Sequence, residues 1–262
     1  QLQNLSDSQI EENQVKELNR LSVSYNKMLE RLSEAFKIQR QFTENAAHEL
    51  RTPLSLMQVQ LDLYNSGKHP DNDADTIQTI KMVTEQNERL SKMVKTLLDM
   101  SELQTVGRDE TIIVNALVDE VLADLEPLAQ EKNIKLIGKC KDVNMVGSDI
   151  LIYRLVYNLV ENAIKYNHSG GQVSVEAYQR EKQVYLSVKD TGNGIPEELK
   201  ERVFEPFFRV DKSRSRELGG VGLGLALVNE IVRVHDGSIA IRPNPSGGTI
   251  IEVQFAVNRT TA

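Results

Sequence analysis

Phe42-Thr43-Glu44-Asn45-Ala46-Ala47-His48-Glu49-Leu50-Arg51-Thr52-Pro53-Leu54 is the stretch whose reading decides the rest of the chain. Its flanks carry apolar residues at helical spacing, which predicts one long amphipathic helix and puts His48 on a helix face. Imidazole has an unperturbed pKa near neutrality, so its neutral form is available as a nucleophile. Glu49 follows directly and can hold one ring N–H, fixing the tautomer and leaving the other nitrogen free to attack. Thr52 is one turn on, on the same face, so its hydroxyl can reach a group attached to the ring. Pro53 offers no N–H to the carbonyl of Glu49, which predicts a loosened or bent helix there. A zinc reading fails, because the second histidine of an HEXXH pair is Thr52 here. A lone histidine on a helix is ordinarily a solvated or packed side chain, so the chemistry of His48 rests on its surroundings.

Upstream, Ile10, Leu18, Leu21, Tyr25, Met28, Leu29 and Leu32 recur at three- and four-residue steps, and no Gly or Pro interrupts residues 1–41. A stripe this narrow does not fold alone and suits a coiled-coil seam, so residues 1–37 are read as a signalling helix in need of a partner. Downstream, Leu54, Met57, Leu61 and Leu63 continue the pattern to Ser66-Gly67, and Lys68-His69-Pro70-Asp71-Asn72 reads as a connecting loop. Ile77, Ile80, Val83, Leu90, Met93, Val94, Leu97 and Leu98 then mark a second helix from about 73 to 103. Two long helices joined by a short loop predict an antiparallel hairpin over residues 38–103. A hairpin buries only one stripe, so two copies pairing into a four-helix bundle complete it, and a homodimer is expected.

Residues 104–109, with Gly107, lose the periodicity and read as a linker. The pattern then changes character across residues 110–258. A strand is expected at 111–114, and Asn115 reads as the cap of a helix from about 116 to 131. Strands follow at 134–137 and 144–146, then a helix from Asp149 to about Tyr166. Alternating strands at 173–178 and 184–189 flank a polar turn at 180–182. A helix at about 222–235 and strands at 238–242 and 249–256 close the domain, with 259–262 as a tail. Strands interspersed with helices and joined by hairpin-like turns argue an α+β sandwich with helices on one sheet face. The expected class is therefore α followed by α+β.

The 262 residues, 40% of them hydrophobic, suffice for two modest domains. A formal net charge of −7 argues against a nucleic-acid surface. One cysteine, Cys140, excludes an internal disulfide and suits a reducing compartment. No apolar run approaches the roughly 18 residues of a membrane span. The chain begins at Gln1 without Met, in a helical pattern, and is expected to be a fragment of a longer protein.

Three segments of the second domain carry chemistry. In Asn158-Leu159-Val160-Glu161-Asn162-Ala163-Ile164-Lys165-Tyr166-Asn167, two carboxamides share a helix face, with Lys165 and Tyr166 one turn on. Carboxamide oxygens are hard ligands suited to Mg²⁺ that bridges phosphates, a lysine can meet the phosphates, and a Tyr ring can cover an adenine. In Asp190-Thr191-Gly192-Asn193-Gly194-Ile195-Pro196, a carboxylate at a strand end can accept from an exocyclic amine, and Gly192 and Gly194 let the backbone approach a ring. In Gly219-Gly220-Val221-Gly222-Leu223-Gly224-Leu225, glycines before a helix start expose N–H groups to phosphate oxygens. No Gly-Lys-Ser/Thr follows, which excludes a Walker A loop, and no strand precedes, which excludes a Rossmann turn. Between the last two lies Phe204-Glu205-Pro206-Phe207-Phe208-Arg209 and the basic run Lys212 to Arg216, read as a hinged lid whose Arg209 can reach a γ-phosphate.

AAHELRTPL resembles the H-box of sensor histidine kinases, and the later segments resemble the N, G1, F and G2 boxes of their ATP-binding domain, in family order and spacing. The resemblance spans roughly residues 38–257. It implies autophosphorylation of His48 from ATP, with Glu49 as positioning acid/base and phosphotransfer to an Asp of a response-regulator receiver domain. It further implies that Thr52 orients water for dephosphorylation of that partner. Asn158 and Asn162 would serve Mg²⁺ and Asp190 would recognise adenine. Lys165, Tyr166, Gly192, Gly194, Phe204, Arg209, Gly220, Gly222, Leu223 and Gly224 would contact ATP. Val221 stands where the family usually has Thr, and Asn193 replaces a commoner apolar residue.

KELNRLSVSYNKMLERL resembles the second helix of a HAMP linker, which in such kinases follows a transmembrane helix. A generic coiled coil fits the same pattern. The chain is thus expected to be the cytoplasmic portion of a membrane sensor, tethered only through upstream segments. Two rivals stand beside this reading. One is an ATP-hydrolysing relative of the gyrase, MutL and Hsp90 group, whose Glu general base falls where Asn158 stands, while Glu161 points away from that position around the helix. The other is a catalytically degenerate coiled-coil and ATP-binding signalling module.

Overall fold

The computed structural model describes residues 16–65, 73–103, 105–210 and 221–257. The interhelical loop with His69, Gly219, Gly220, the basic run 212–216, residues 1–15, Gln104 and the tail lie outside the described residues. The chain divides into two compact units, residues 1–86 and 87–262.

Two helices dominate the first part. Helix α1 runs unbroken from Lys16 to Asn65, and α2, from Asp73 to Glu102, crosses from the first unit into the second at residue 87. Pro53 does not end α1 and is itself buried. Side-chain links one turn apart support the exposed surface, Arg40 to Glu44 at 2.9 Å and Gln58 to Asp62 at 2.8 Å. The apolar stripe is left facing solvent: Leu54, Leu61, Ile77 and Ile80 are all exposed in the single chain.

The second part is a layer of helices on a sheet. Strand β1 (Glu110–Ile113) pairs antiparallel with β3 (Asn144–Gly147), apart from the main sheet. Helix α3 (Val114–Glu131), β2 (Lys135–Cys140), α4 (Asp149–Lys165), β4 (Gln172–Arg180), β5 (Gln183–Asp190), α5 (Gly224–Val234), β6 (Ser238–Pro243) and β7 (Thr249–Ala256) follow. The main sheet has the order β2-β4-β5-β7-β6, with β2 parallel to β4 and every other pair antiparallel. Register sets Val175 opposite Val188 and Val188 opposite Ile251, so one sheet face carries the branched side chains. That face buries Val175, Leu186 and Val253 in one core with Ile152, Leu155 and Leu159 of α4 and Leu227 and Ile231 of α5. Each fully buried Leu or Ile contributes about 1.5–3 kcal/mol. The opposite face is polar, with Glu176 on Lys189 at 2.6 Å, Tyr178 stacked on Tyr185 and Arg242 on Glu252 at 3.1 Å. Period-two alternation therefore places the helices on one side, as expected.

The expected cap at Asn115 is corrected. Helix α3 starts at Val114 with Ile113 as N-cap and no side-chain cap bond. Pairing of β1 with β3 brings the Val143 carbonyl 2.9 Å from the Val114 N–H, so the first donor is met by backbone. Asn115 lies inside the helix and donates to Asp142 at 3.3 Å.

His235, which the sequence reading passed over, closes the far end of the core. It is buried at the end of α5, with Nδ1 2.9 Å from the Ile231 carbonyl. Its Nε2 accepts from the Ser148 N–H, at 3.1 Å, at the start of α4. The ring also meets Phe255 edge-on. Replacing His235 with Ala leaves the buried Ser148 N–H without this acceptor and opens a void. The expected cost is about 1–3 kcal/mol, read as a lower urea midpoint at unchanged slope. An unchanged midpoint would show that the ring is dispensable to the core.

Candidate nucleotide site

Chain order matters little to the cleft, because α4, the ends of β5 and β7, and the start of α5 meet at one end of the sheet. A cavity of about 410 Å³ opens there, within the size range of small-molecule sites. Ten of the residues singled out from the sequence line it: Asn158, Asn162, Lys165, Tyr166, Asp190, Gly194, Arg209, Gly222, Leu223 and Gly224. Gly192 and Phe204 stay off its wall, and Phe208 lines it instead.

Asp190 is fixed by backbone. Its Oδ1 accepts the Gly192 N–H at 2.8 Å and the Thr249 N–H at 3.2 Å, so Gly192 acts by holding the carboxylate. Burial pushes the Asp190 carboxyl above its ordinary value of 3.8, while those two bonds pull it back. Gly248 packs against it at φ +87°, where a Cβ would stand 2.4 Å from the Asp190 carbonyl. The approach is open only to glycine.

Asn158 donates its Nδ2 to the Arg154 carbonyl at 2.7 Å, which turns Oδ1 toward Gly224. That carbonyl-type oxygen beside Asn162 is suited to a hard cation. No group of three or more His, Cys, Asp or Glu side chains among the described residues forms a metal cage. A pair of carboxamide oxygens is a sparse, hard donor set, of the kind that suits an ion keeping most of its waters, as Mg²⁺ does.

The aromatic segment and the last glycines are stitched together. Phe207, at φ +66°, donates its N–H to the Gly222 carbonyl at 2.8 Å. Gly222 takes φ +79°, and a Cβ there would lie 2.7 Å from the Phe208 carbonyl. Arg202 sits over the Phe208 ring at 4.4 Å. Val221 is buried in the cleft wall and offers no hydroxyl.

Glu161 is corrected in position. It lines the same cleft, buried, with Lys165 at 3.0 Å and Lys92 of α2 at 2.5 Å on a single carboxylate oxygen. Burial opposes its charge, but Lys165 and Lys92 together hold the carboxyl below its ordinary value of 4.5. A carboxylate so held is a poor base for water, which disfavours the hydrolytic rival on different grounds from those of the sequence. Burial and the neighbouring Lys92 charge lower the Lys165 pKa despite Glu161. Burial of the more exposed Lys92 is outweighed by its bond to Glu161, and its pKa is raised. Because the Glu161 carboxyl is depressed on folding, its stabilisation is present above its unfolded pKa and is lost as pH falls through the lower folded value. Glu161→Gln is therefore expected to flatten the fall in urea midpoint on acidification from pH 7 to below 4.5. A variant as acid-sensitive as wild type would place the main acid-labile pair elsewhere.

In the helical part, His48 and Thr52 are exposed and Glu49 is half-buried. The Thr52 hydroxyl donates to the His48 carbonyl at 3.2 Å, so at rest it points along the backbone rather than at the ring.

Comparison with known proteins places both parts. Residues 147–259 match the family described as histidine kinase-, DNA gyrase B- and HSP90-like ATPase, which defines the class of the sheet domain. Residues 38–106 match the His Kinase A (phospho-acceptor) domain. The chain belongs to the sensor histidine kinases of two-component systems. It is 32% identical over 247 residues to the signal transduction histidine-protein kinase ArlS of Staphylococcus aureus, an alignment taking in 91% of this chain and 53% of that protein. The chain thus spans about half the length of the curated relatives it matches. Histidine kinase ThkA, solved in complex with the response regulator TrrA, is 25% identical, with TM-score 0.72 over 95% of this chain and 70% of its own. Histidine kinase AdeS of Acinetobacter baumannii shares the fold at 24% identity and TM-score 0.66, over 80% of this chain and 98% of its own.

Proposed function

We propose that this chain is the catalytic core of a protein histidine kinase that phosphorylates His48 from ATP and passes the phosphoryl group to an aspartate of a response regulator. The observation that carries the reading is the convergence of Asp190, Asn158, Asn162, Lys165 and the Gly222–Gly224 backbone on one cleft, in a chain whose other part exposes His48. Asp190 accepts from the adenine amino group, and the N–H groups at the start of α5 face the phosphates. Asn158 and Asn162 would hold Mg²⁺ through their oxygens. The metal would neutralise charge on the phosphate oxygens during transfer.

A ring nitrogen of His48 attacks the γ-phosphorus as the bond to the β-phosphate oxygen breaks, and ADP leaves. The ring N–H on the other nitrogen is held by Glu49, keeping the lone pair on the attacking atom. The receiver carboxylate then takes the phosphoryl group and the imidazole is released neutral. Thr52 serves the reverse role by orienting water against the phosphorylated receiver.

Two copies complete the unit. The exposed stripe of Leu54, Leu61, Ile77 and Ile80 suits a second hairpin, forming a four-helix bundle. None of the described helices is long and apolar enough to cross a membrane, and tethering is assigned to segments of the parent protein upstream. The test is incubation with γ-labelled ATP and Mg²⁺. Acid-labile, alkali-stable label on the protein is the expected result. ATP binding without label would favour the degenerate module, and no binding would overturn the reading.

A further inference from the structure

The cleft has a wall that none of its own sequence segments supplies. Lys92 and Thr96 of α2 line it, although they fall within the matched phospho-acceptor region. Two ion pairs hold this end of α2 along α4. Lys92 meets Glu161 and, seven residues on, Asp99 meets Arg154 at 2.7 Å, seven residues earlier on α4. The matched spacing means the two helices run antiparallel, and Met100 near the end of α2 and Leu103 just beyond it pack on the core.

The charge at the first pair does not balance. Glu161 carries one negative charge and receives two ammonium groups on one oxygen, leaving a net positive charge at the cleft wall. A carboxylate shared by two ammonium groups neutralises only one of them, so a further anion in the cleft is attracted to the pair. A triphosphate brings several negative charges into the same cavity. Lys92 is half exposed, on a flexible four-carbon stem, and stays protonated because its pKa is raised.

We propose that Lys92 is a phosphate-contacting residue of the nucleotide site, held ready by Glu161, and that it distinguishes a triphosphate from the bare nucleoside. This rests on the ATP reading of the cleft given above. Both ammonium groups turn from Glu161 to the phosphates when a triphosphate enters. Binding thereby engages α2 as well as the sheet domain, whereas adenosine, without phosphates, engages the sheet domain alone.

The test is calorimetric titration of the whole chain with AMP-PNP and with adenosine, in Mg²⁺, for wild type, Lys92→Ala, Lys92→Arg and Asp99→Asn. Lys92→Ala is expected to weaken AMP-PNP about tenfold, the loss of one charge-assisted hydrogen bond, and to leave adenosine unchanged. Lys92→Arg is expected to restore most of the affinity. Asp99→Asn, which breaks the other pair with Lys92 intact, is expected to change AMP-PNP less than about twofold. Equal losses for Lys92→Ala and Asp99→Asn, or a loss shared by adenosine, would overturn the proposal in favour of simple docking of α2. Wild-type affinity for AMP-PNP in Lys92→Ala would overturn it alone, whereas no AMP-PNP binding by wild type would overturn the ATP reading and this proposal together.

Discussion

Replacing His48 with glutamine is expected to leave a folded chain that binds ATP but carries no phosphoryl group. The side chain is exposed on α1, so its loss costs about 0.5 kcal/mol of stability or less. Gln has helix propensity close to that of the residues around it and no nucleophilic nitrogen, so label from ATP is expected to fall below about a thousandth of wild type. The other described histidines make the test sharp. His235 is buried with both nitrogens engaged, whereas His168 is exposed beside α4. Acid-labile label persisting in His48→Gln would move the acceptor role to another residue, with His168 the first to replace.

Asp190→Asn separates binding from folding. The amide keeps an oxygen that can accept the Gly192 and Thr249 N–H groups, and a neutral group is easier to bury than a carboxylate. Under the proposed adenine recognition, the other position becomes an NH₂ donor facing the amino group of adenine. Loss of that bond and the clash of donors are expected to weaken ATP about 100-fold, near 2.7 kcal/mol, with the melting temperature unchanged or slightly higher. The pH dependence follows the same group. Its carboxyl is raised on folding, so the folded state binds a proton more readily, and acidification through the folded pKa favours folding as it removes the adenine acceptor. Wild-type affinity should therefore fall on acidification, and the asparagine variant should lack that component. Calorimetric affinity of Asp190→Asn within threefold of wild type would remove Asp190 from adenine recognition.

The long helices and the alternating strands were legible because their signals are local. Leu54 to Leu63 and Ile77 to Leu98 repeat at helical steps, and Val173 to Tyr178 alternates, each without knowledge of a partner. The glycines at 222 and 224 and the carboxylate at 190 were legible because their neighbours in sequence are also their neighbours in the cleft. The parallel pairing of β2 with β4 was not, since a helix and a strand separate them and no turn residue marks the crossover. The positions of Glu161 and Lys92 on the cleft wall were hidden for the same reason. Their meeting across 69 residues depends on where α2 packs, which periodicity does not encode. His235 gave no signal because its value comes from one backbone N–H of α4.

The strand order of the main sheet leaves β2 and β6 as its outer strands among the described residues. A bare outer strand invites pairing with a second molecule and growth into aggregates. Here β2 bears Lys135 and Lys139, with Lys141 next in the chain, so that a copy laid alongside would meet a row of like charges. Strand β6 is short and ends in Arg242 and Pro243, and proline has no N–H to continue a ladder. The main sheet thus carries, at both of these strands, its own barrier to growth by edge pairing.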